Sequence, residues 1–302
     1  MKKLDPGQIV HLLAKLGVIA AGAVATAVAA QQPTFSFGEG PTICIDEAHF
    51  NTHTASGTYS TVAGLWRTDG YVIEASTRAF TSNSMQECSV LVIANALHER
   101  NRLQGDATDW SLPNPSAFTP SEIVAVRDWV RVGGALLLIA DHMPFPGAAA
   151  DLAAAFDVQF NNGFAMEMNP TSGTLVFSRA AGLLPAHPIA DGRSAAEWID
   201  SVTTYAGQAF QVDGRFAPLL VIPEGTVSLM PEVAWEFTDD TPRIPVGGWL
   251  QGAAAQFGDG RLVVFGEAAQ FRPRDDGESL PGQNGQFAIN VIRWLSGILG
   301  ER

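Results

Sequence analysis

Lysine is almost missing from this chain of 302 residues: Lys2, Lys3 and Lys15 all fall within the first 30 positions, and none follows. That scarcity excludes lysine-based machinery from the body of the chain, including the P-loop, Schiff bases and the Ser-Lys dyad. From residue 31 onward 15 arginines face 30 acidic residues, a balance of −15. So acidic a surface argues against nucleic acid or an anionic membrane as a partner. Cysteine is scarce too, with only Cys44 and Cys88. Cys44 lies near the end of one apolar run and Cys88 before the start of another, an offset of several residues that argues against a bridge even between adjacent strands. Both are therefore read as small buried residues. The G-x-S-x-G elbow, the G-x-G-x-x-G fingerprint, HExxH and paired CxxC are all absent, which removes the common serine hydrolases, dinucleotide enzymes and zinc peptidases.

The longest apolar run covers residues 16–30, interrupted only by Thr26, and follows Lys2 and Lys3. Val28-Ala29-Ala30 precedes Gln31 in the pattern of a signal-peptidase site. The alternative, a retained anchor, needs roughly 20 apolar residues, and the run is shorter. Residues 1–30 are thus expected to be a signal peptide, 31–40 a linker and 41–302 a single domain in the periplasm or secreted, with no membrane contact beyond the leader.

Beyond the linker, apolar strands alternate with helical patterns. Residues 42–46, 71–75, 89–94, 135–140 and 261–265 read as strands, and residues 61–69, 148–156 and the amphipathic stretch through Phe287, Val291, Trp294 and Leu295 as helices. One helix is well marked. Thr119 can cap it, Pro120 suits its first position, Glu122 completes a capping box, and Gly133-Gly134 ends it. Strands that are apolar on both faces and separated by helices predict an α/β fold: a three-layer, Rossmann or flavodoxin-like, mostly parallel sheet with helices on both faces. Short β-like pieces at 174–177, 217–222 and 232–237 predict an irregular or antiparallel extension.

In such sheets ligands bind beyond the carboxyl ends of the strands. Those ends carry Asp46, Glu47, His49, Asn51 and His53; then Asn95, His98 and Glu99; then Asp141 and His142; and last Glu267 and Gln270. Residues of these types after strands also cap helices and brace loops. The sharper reading is a divalent metal, zinc in the first instance, held by His49, His53, Asp141 and His142. Asp46 would be a further ligand or orienter, and Glu267 or Glu47 the general base for a metal-bound water. A metal-free variant runs acid–base chemistry from Asp141 or Glu267 beside a histidine, on a sugar or lactone. The expected partner is a small-molecule or carbohydrate-like substrate. Trp66, Trp110 and Trp249 are read as packing residues before pocket residues, and the loop 277–285 as a surface connection before a flap.

The segments IDEAH, VLVIANA, FTPSEIVAVRDWVRVGGALLLIADH, His187-Pro188-Ile189, VVFGEAAQF and NGQFAINVIRWL together resemble the class I glutamine-amidotransferase-like superfamily, nearest its trehalose-utilisation (ThuA-like) branch. The resemblance spans most of residues 42–298. It implies a pocket at the strand ends and functional roles for Asp46, His49, Asp141, His142 and Glu267. The family's cysteine nucleophile has no counterpart, since the corresponding strand end reads Ala94-Asn95-Ala96-Leu97-His98, so glutaminase activity is not implied. The functional expectation is an exported metal-dependent hydrolase of an ester, amide or lactone bond, with a non-catalytic carbohydrate-binding or assembly domain as the alternative.

Overall fold

The computed structural model describes residues 32–167, 174–273 and 279–300; the expected leader lies outside them. In chain order the elements are β1 (Thr42–Asp46), α1 (Ser60–Thr68), β2 (Val72–Ser76), β3 (Val90–Ala94), α2 (Pro120–Arg131), β4 (Ala135–Ile139) and α3 (Phe145–Ala154). There follow β5 (Val158–Phe160), β6 (Phe164–Glu167), β7 (Leu175–Ser178), the short α4 (Pro188–Asp191), β8 (Ser201–Thr204), β9 (Phe210–Val212), β10 (Ala217–Val221), β11 (Thr226–Leu229) and β12 (Arg243–Pro245). The long strand β13 (Leu250–Phe257), then β14 (Gly260–Phe265) and α5 (Asn284–Leu295), close the chain. No helix among the described residues is long and apolar enough to cross a membrane.

Strands buried on both faces cannot sit at a wet surface, and here they pair in parallel in the order β2-β1-β3-β4-β14. Because successive side chains point to opposite faces, Ile43, Ile45, Val90, Val92, Leu137, Ile139, Val263 and Phe265 pack under α1 and α5. The intervening Cys44, Leu91, Ile93, Leu136, Leu138, Leu262 and Val264 pack under α2 and α3. The helices therefore lie on both faces. Beyond β14 the sheet turns antiparallel, through β13 to β9, β10 and β5. A three-stranded sheet (β12-β11-β6) and a β7–β8 hairpin stand apart from it. The capping box of α2 forms as expected, with Thr119 Oγ1 accepting from the Glu122 amide and the Glu122 carboxylate accepting from the Thr119 amide.

Four local readings change. Residues 232–237 are not a strand: apart from one bridge between Ser111 and Val233 they turn, with Trp235 at φ 71°. Conversely β13, eight residues reading LQGAAAQF, is a buried central strand without β-branched residues. Small residues are required there, since a Cβ on Gly252 would sit 2.7 Å from the Phe265 ring and 2.9 Å from Leu220. The stretch expected as a linker is docked from Thr34 onward. Its Thr34 amide and hydroxyl donate to Asp69 at 2.9 and 3.0 Å, and Phe35 packs edge-on against Tyr71. Asp69 in turn takes both arms of the wholly buried Arg293 of α5, whose remaining nitrogen reaches Glu197 at 2.7 Å.

The fourth change is a correction: Cys44 and Cys88 form a disulfide, with Cα atoms 5.6 Å apart. The strand argument failed because Cys88 is not in β3. It ends a turn, its amide donating to Met85 O, and the Ser89 amide donates to Thr42 O, so the chain folds back beneath β1 before β3 begins. Closing a loop across a separation of 44 residues restricts the unfolded chain. The paired Cys44→Ser, Cys88→Ser variant is expected to lose about 3 kcal/mol of stability in denaturant titration, with the wild type under reductant matching it; equal midpoints for variant and oxidised wild type would refute this.

Candidate active site at the strand ends

Parallel pairing fixes which residues meet past the strand ends. The last paired positions of β4 and β14 are Ile139 and Phe265. Two residues further on each chain stand Asp141 and Glu267, side by side and pointing the same way. Both are buried, Asp141 at 7% and Glu267 at 1% exposed. Burial, and then the Asp141 charge, push the Glu267 carboxyl well above its ordinary range, although the Ala269 and Tyr205 amides donate to it at 2.7 and 3.0 Å. Burial beside a second carboxyl thus favours the protonated form of Glu267.

The surroundings hold this pair in place. The Asp141 amide donates to Asn95 Oδ1 at 2.9 Å, and Asn95 itself takes a left-handed bend, φ 58°. Gln208 Nε2 donates to the carbonyl of Ala140 at 2.9 Å. Gly207 crosses over Gly266 so closely that a Cβ would collide with the Gly266 carbonyl and come 2.9 Å from Glu267 Cβ. A cavity of about 450 Å³ opens in front of the pair, lined also by His142, Met166, Tyr205, Trp235 and Arg272. His142 Nδ1 meets the Met143 carbonyl at 2.7 Å. A carbonyl only accepts, so Nδ1 carries the hydrogen and Nε2 is the ring nitrogen left for another partner.

The first strand end builds something else. His49 Nδ1 lies 2.9 Å from Asp46 and Nε2 2.9 Å from Glu122, so both nitrogens donate and the ring is a doubly protonated cation. Burial lowers the His49 pKa, but Asp46 and Glu122 outweigh it and the net shift is upward. Burial likewise pushes Glu122 up, and hydrogen bonds from Thr119, His49 and Phe80 outweigh that and bring it down to about 2. Asp46 also accepts from the Ala48 amide and Asn51, while Glu47 accepts from the Ala55 amide at 2.9 Å. His53 is buried, hydrogen-bonded to Thr58 through Nδ1 and stacked on Tyr59. Burial pulls it down to about 4, with the Asp141 charge opposing, so at neutral pH it is uncharged.

These contacts divide the expected ligand set. His49 has no lone pair for a metal while it bridges two carboxylates. Asp46 and Glu47 brace the loop, and among the described residues no three His, Cys, Asp or Glu side chains are placed to hold an ion. In this arrangement the four residues do not fit a single zinc ion. Of the seven residues singled out, Asp141, His142 and Glu267 line the cavity, His53 stands near Asp141, and Asp46, Glu47 and His49 form the separate network. Trp66 and Trp110 are packing residues, each indole donating to a backbone carbonyl. Sequence reasoning missed Tyr205, Trp235, Arg272 and the Glu122 partner of His49. A capping-box glutamate gives no outward sign of a second role, and Trp235 was hidden in a stretch read as strand.

Because His49 gains partners on folding, its stabilisation is complete below its unfolded pKa of about 6.5 and fades as pH rises through its higher folded value. His49→Ala is expected to cost about 3 kcal/mol at pH 6, with the deficit shrinking toward pH 9. Denaturant titrations of both proteins across that range decide it, and a deficit that grows with pH would rule out the charged bridge.

No family model and no curated protein matches the chain. Among solved structures, the mmIFT52 N-terminal domain superposes with TM-score 0.56 at 14% identity, covering 84% of this chain and 97% of that one. The Cytoplasmic Protein STM1381 from Salmonella typhimurium LT2 gives 0.52 at 13%, covering 85% and 99%. A ThuA-like protein from Bacteroides uniformis gives 0.47 at 12%, covering 86% and 94%. At these identities the likeness is one of fold alone, an α/β architecture shared with the mmIFT52 N-terminal domain and STM1381.

Proposed function

We propose that the chain is a hydrolase of an ester, amide or lactone bond that works through the proton shared by Asp141 and Glu267. The observation that carries this reading is the pair of carboxyls that the parallel register of β4 and β14 sets beside each other, both buried and both lining the cavity. Asp141 takes a proton from water as the water oxygen adds to the carbonyl carbon, and Glu267 gives its proton to the carbonyl oxygen. In the collapse, the leaving oxygen or nitrogen takes the proton from Asp141, and Glu267 regains one from the hydroxyl that becomes the new carbonyl.

Glu267→Gln and Asp141→Asn are each expected to reduce kcat by about 10²–10⁴-fold on 4-nitrophenyl acetate and δ-valerolactone, while chelator leaves the wild type unchanged. Activity should fall as pH rises through the elevated Glu267 value, because the acid is lost. It should fall again in acid, when the pair takes up a second proton. Variants as active as wild type would reject the reading, and binding without turnover would favour the non-catalytic alternative.

We propose further that the domain is exported. The reading is supported by the leader pattern in residues 1–30 and by the Cys44–Cys88 bridge, a bond suited to oxidising compartments. N-terminal sequencing of the protein from its native host should begin at Gln31. Intact Met1 on protein recovered from the cytosol would overturn it.

A further inference from the structure

We propose that the substrate is a neutral, hydroxylated lactone, the cyclic ester of a sugar acid, whose ring stacks on Trp235 while its carbonyl faces Asp141 and Glu267. The inference rests on the hydrolase reading and adds the class of molecule to it.

Trp235 is held at φ 71° and is 50% exposed. A bulky side chain rarely adopts that backbone conformation, and such positions concentrate at ligand sites. The indole is held rigidly: His142 and Phe164 stack at 4.6 Å, and the Trp235 ring lies 4.6 and 4.7 Å from them at steep inclinations of 71° and 61°. Phe237 adds a further edge contact, and the Ala234 amide ties the turn to Trp110 O. One side of the indole is thus packed, while the ring contributes to the cavity wall. An exposed aromatic face beside carboxyl, imidazole and phenol groups matches a ring that is apolar on its C–H faces and polar at its hydroxyl edge.

Charge selects within that class. Among the described lining residues the carboxyls of Asp141 and Glu267 are accompanied by the guanidinium of Arg272. Lining of both signs suits a neutral molecule, and the acidic surface disfavours anions. Chemistry selects further. Among the ester, amide and lactone bonds of the hydrolase reading, a ring seated on Trp235 with its carbonyl at Asp141 and Glu267 is a lactone. Water adds across the carbonyl, the ring C–O bond breaks, and the ring oxygen leaves as a hydroxyl. The product acid loses its proton to solvent. A cavity of about 450 Å³ accommodates one such ring with its water.

The test uses D-glucono-1,5-lactone turnover above its spontaneous rate, and D-glucono-1,5-lactam as a ring of the same shape that resists hydrolysis. The lactam should compete with the lactone. Trp235→Ala should raise KM and the lactam Kd about tenfold, far more than it lowers kcat. Trp235→Phe should recover most of the affinity and, by thermal melting, control for folding. Glu267→Gln should keep lactam binding and lose turnover. Glu267-dependent hydrolysis of 4-nitrophenyl acetate without lactam binding, or lactam affinity untouched in both Trp235 variants, would overturn the lactone proposal and leave the hydrolase reading standing. Lactam binding at Trp235 with no lactone or ester turned over would overturn the hydrolase reading instead.

Discussion

The site depends on one constraint, the parallel register of β4 against β14. Pairing Ile139 with Phe265 obliges Asp141 and Glu267, two residues on, to emerge side by side. Two carboxyls so placed and buried disfavour two charges, and burial together with the Asp141 charge pushes the Glu267 carboxyl well above its ordinary range. Both groups of the proposed site thus come from the rigid sheet, without either having to be imported on a flexible loop. The backbone amides of Tyr205 and Ala269 fix the Glu267 carboxyl in position, and Gln208 and Asn95 clamp the turn on which Asp141 stands. These are the supports that hold a reactive geometry within fractions of an ångström.

The polar groups of the first strand end serve a different purpose. Asp46, His49 and Glu122 join the end of β1 to the N-terminus of α2 through a buried cation held between two anions. Phe80 and Phe118 pack against the imidazole at 4.5 and 4.8 Å. A buried charge is tolerable only when paired and hydrogen-bonded, and here every oxygen of Glu122 is engaged, by Phe80, His49 and Thr119. The Arg293–Asp69–Glu197 cluster repeats the same solution at α5. The first network fastens α2 to the end of β1, and the second fastens α5 to the C-terminus of α1 and to the loop at Glu197. They leave the cavity to residues delivered by β4, β14 and the antiparallel extension.

That extension is what turns a common sheet into a particular site. The segment 205–208 crosses Gly266 and brings Tyr205 over Glu267, and Ala165 donates its amide to Gly207 O, linking the small β12-β11-β6 sheet to the same crossing. The turn at Trp235 hangs from that side. Chain that composition left as irregular therefore supplies the aromatic wall, while the regular half supplies the carboxyls.

The layered α/β fold, its parallel core, the capping box of α2 and the amphipathic α5 were legible in the sequence, because local periodicity and capping follow from covalent geometry alone. The positions of Asp141, His142 and Glu267 at strand ends were legible for the same reason. Which of them touch was not: that depends on β4 lying next to β14, although well over a hundred residues separate them in the chain. Cys88 met Cys44 through a turn that a strand-offset argument could not represent. His49 left the expected metal set because Glu122, 73 positions away, claimed its second nitrogen. Residue types and spacing determined what chemistry was available; long-range pairing decided which groups meet, because hydrogen bonds and desolvation act through space and not along the chain.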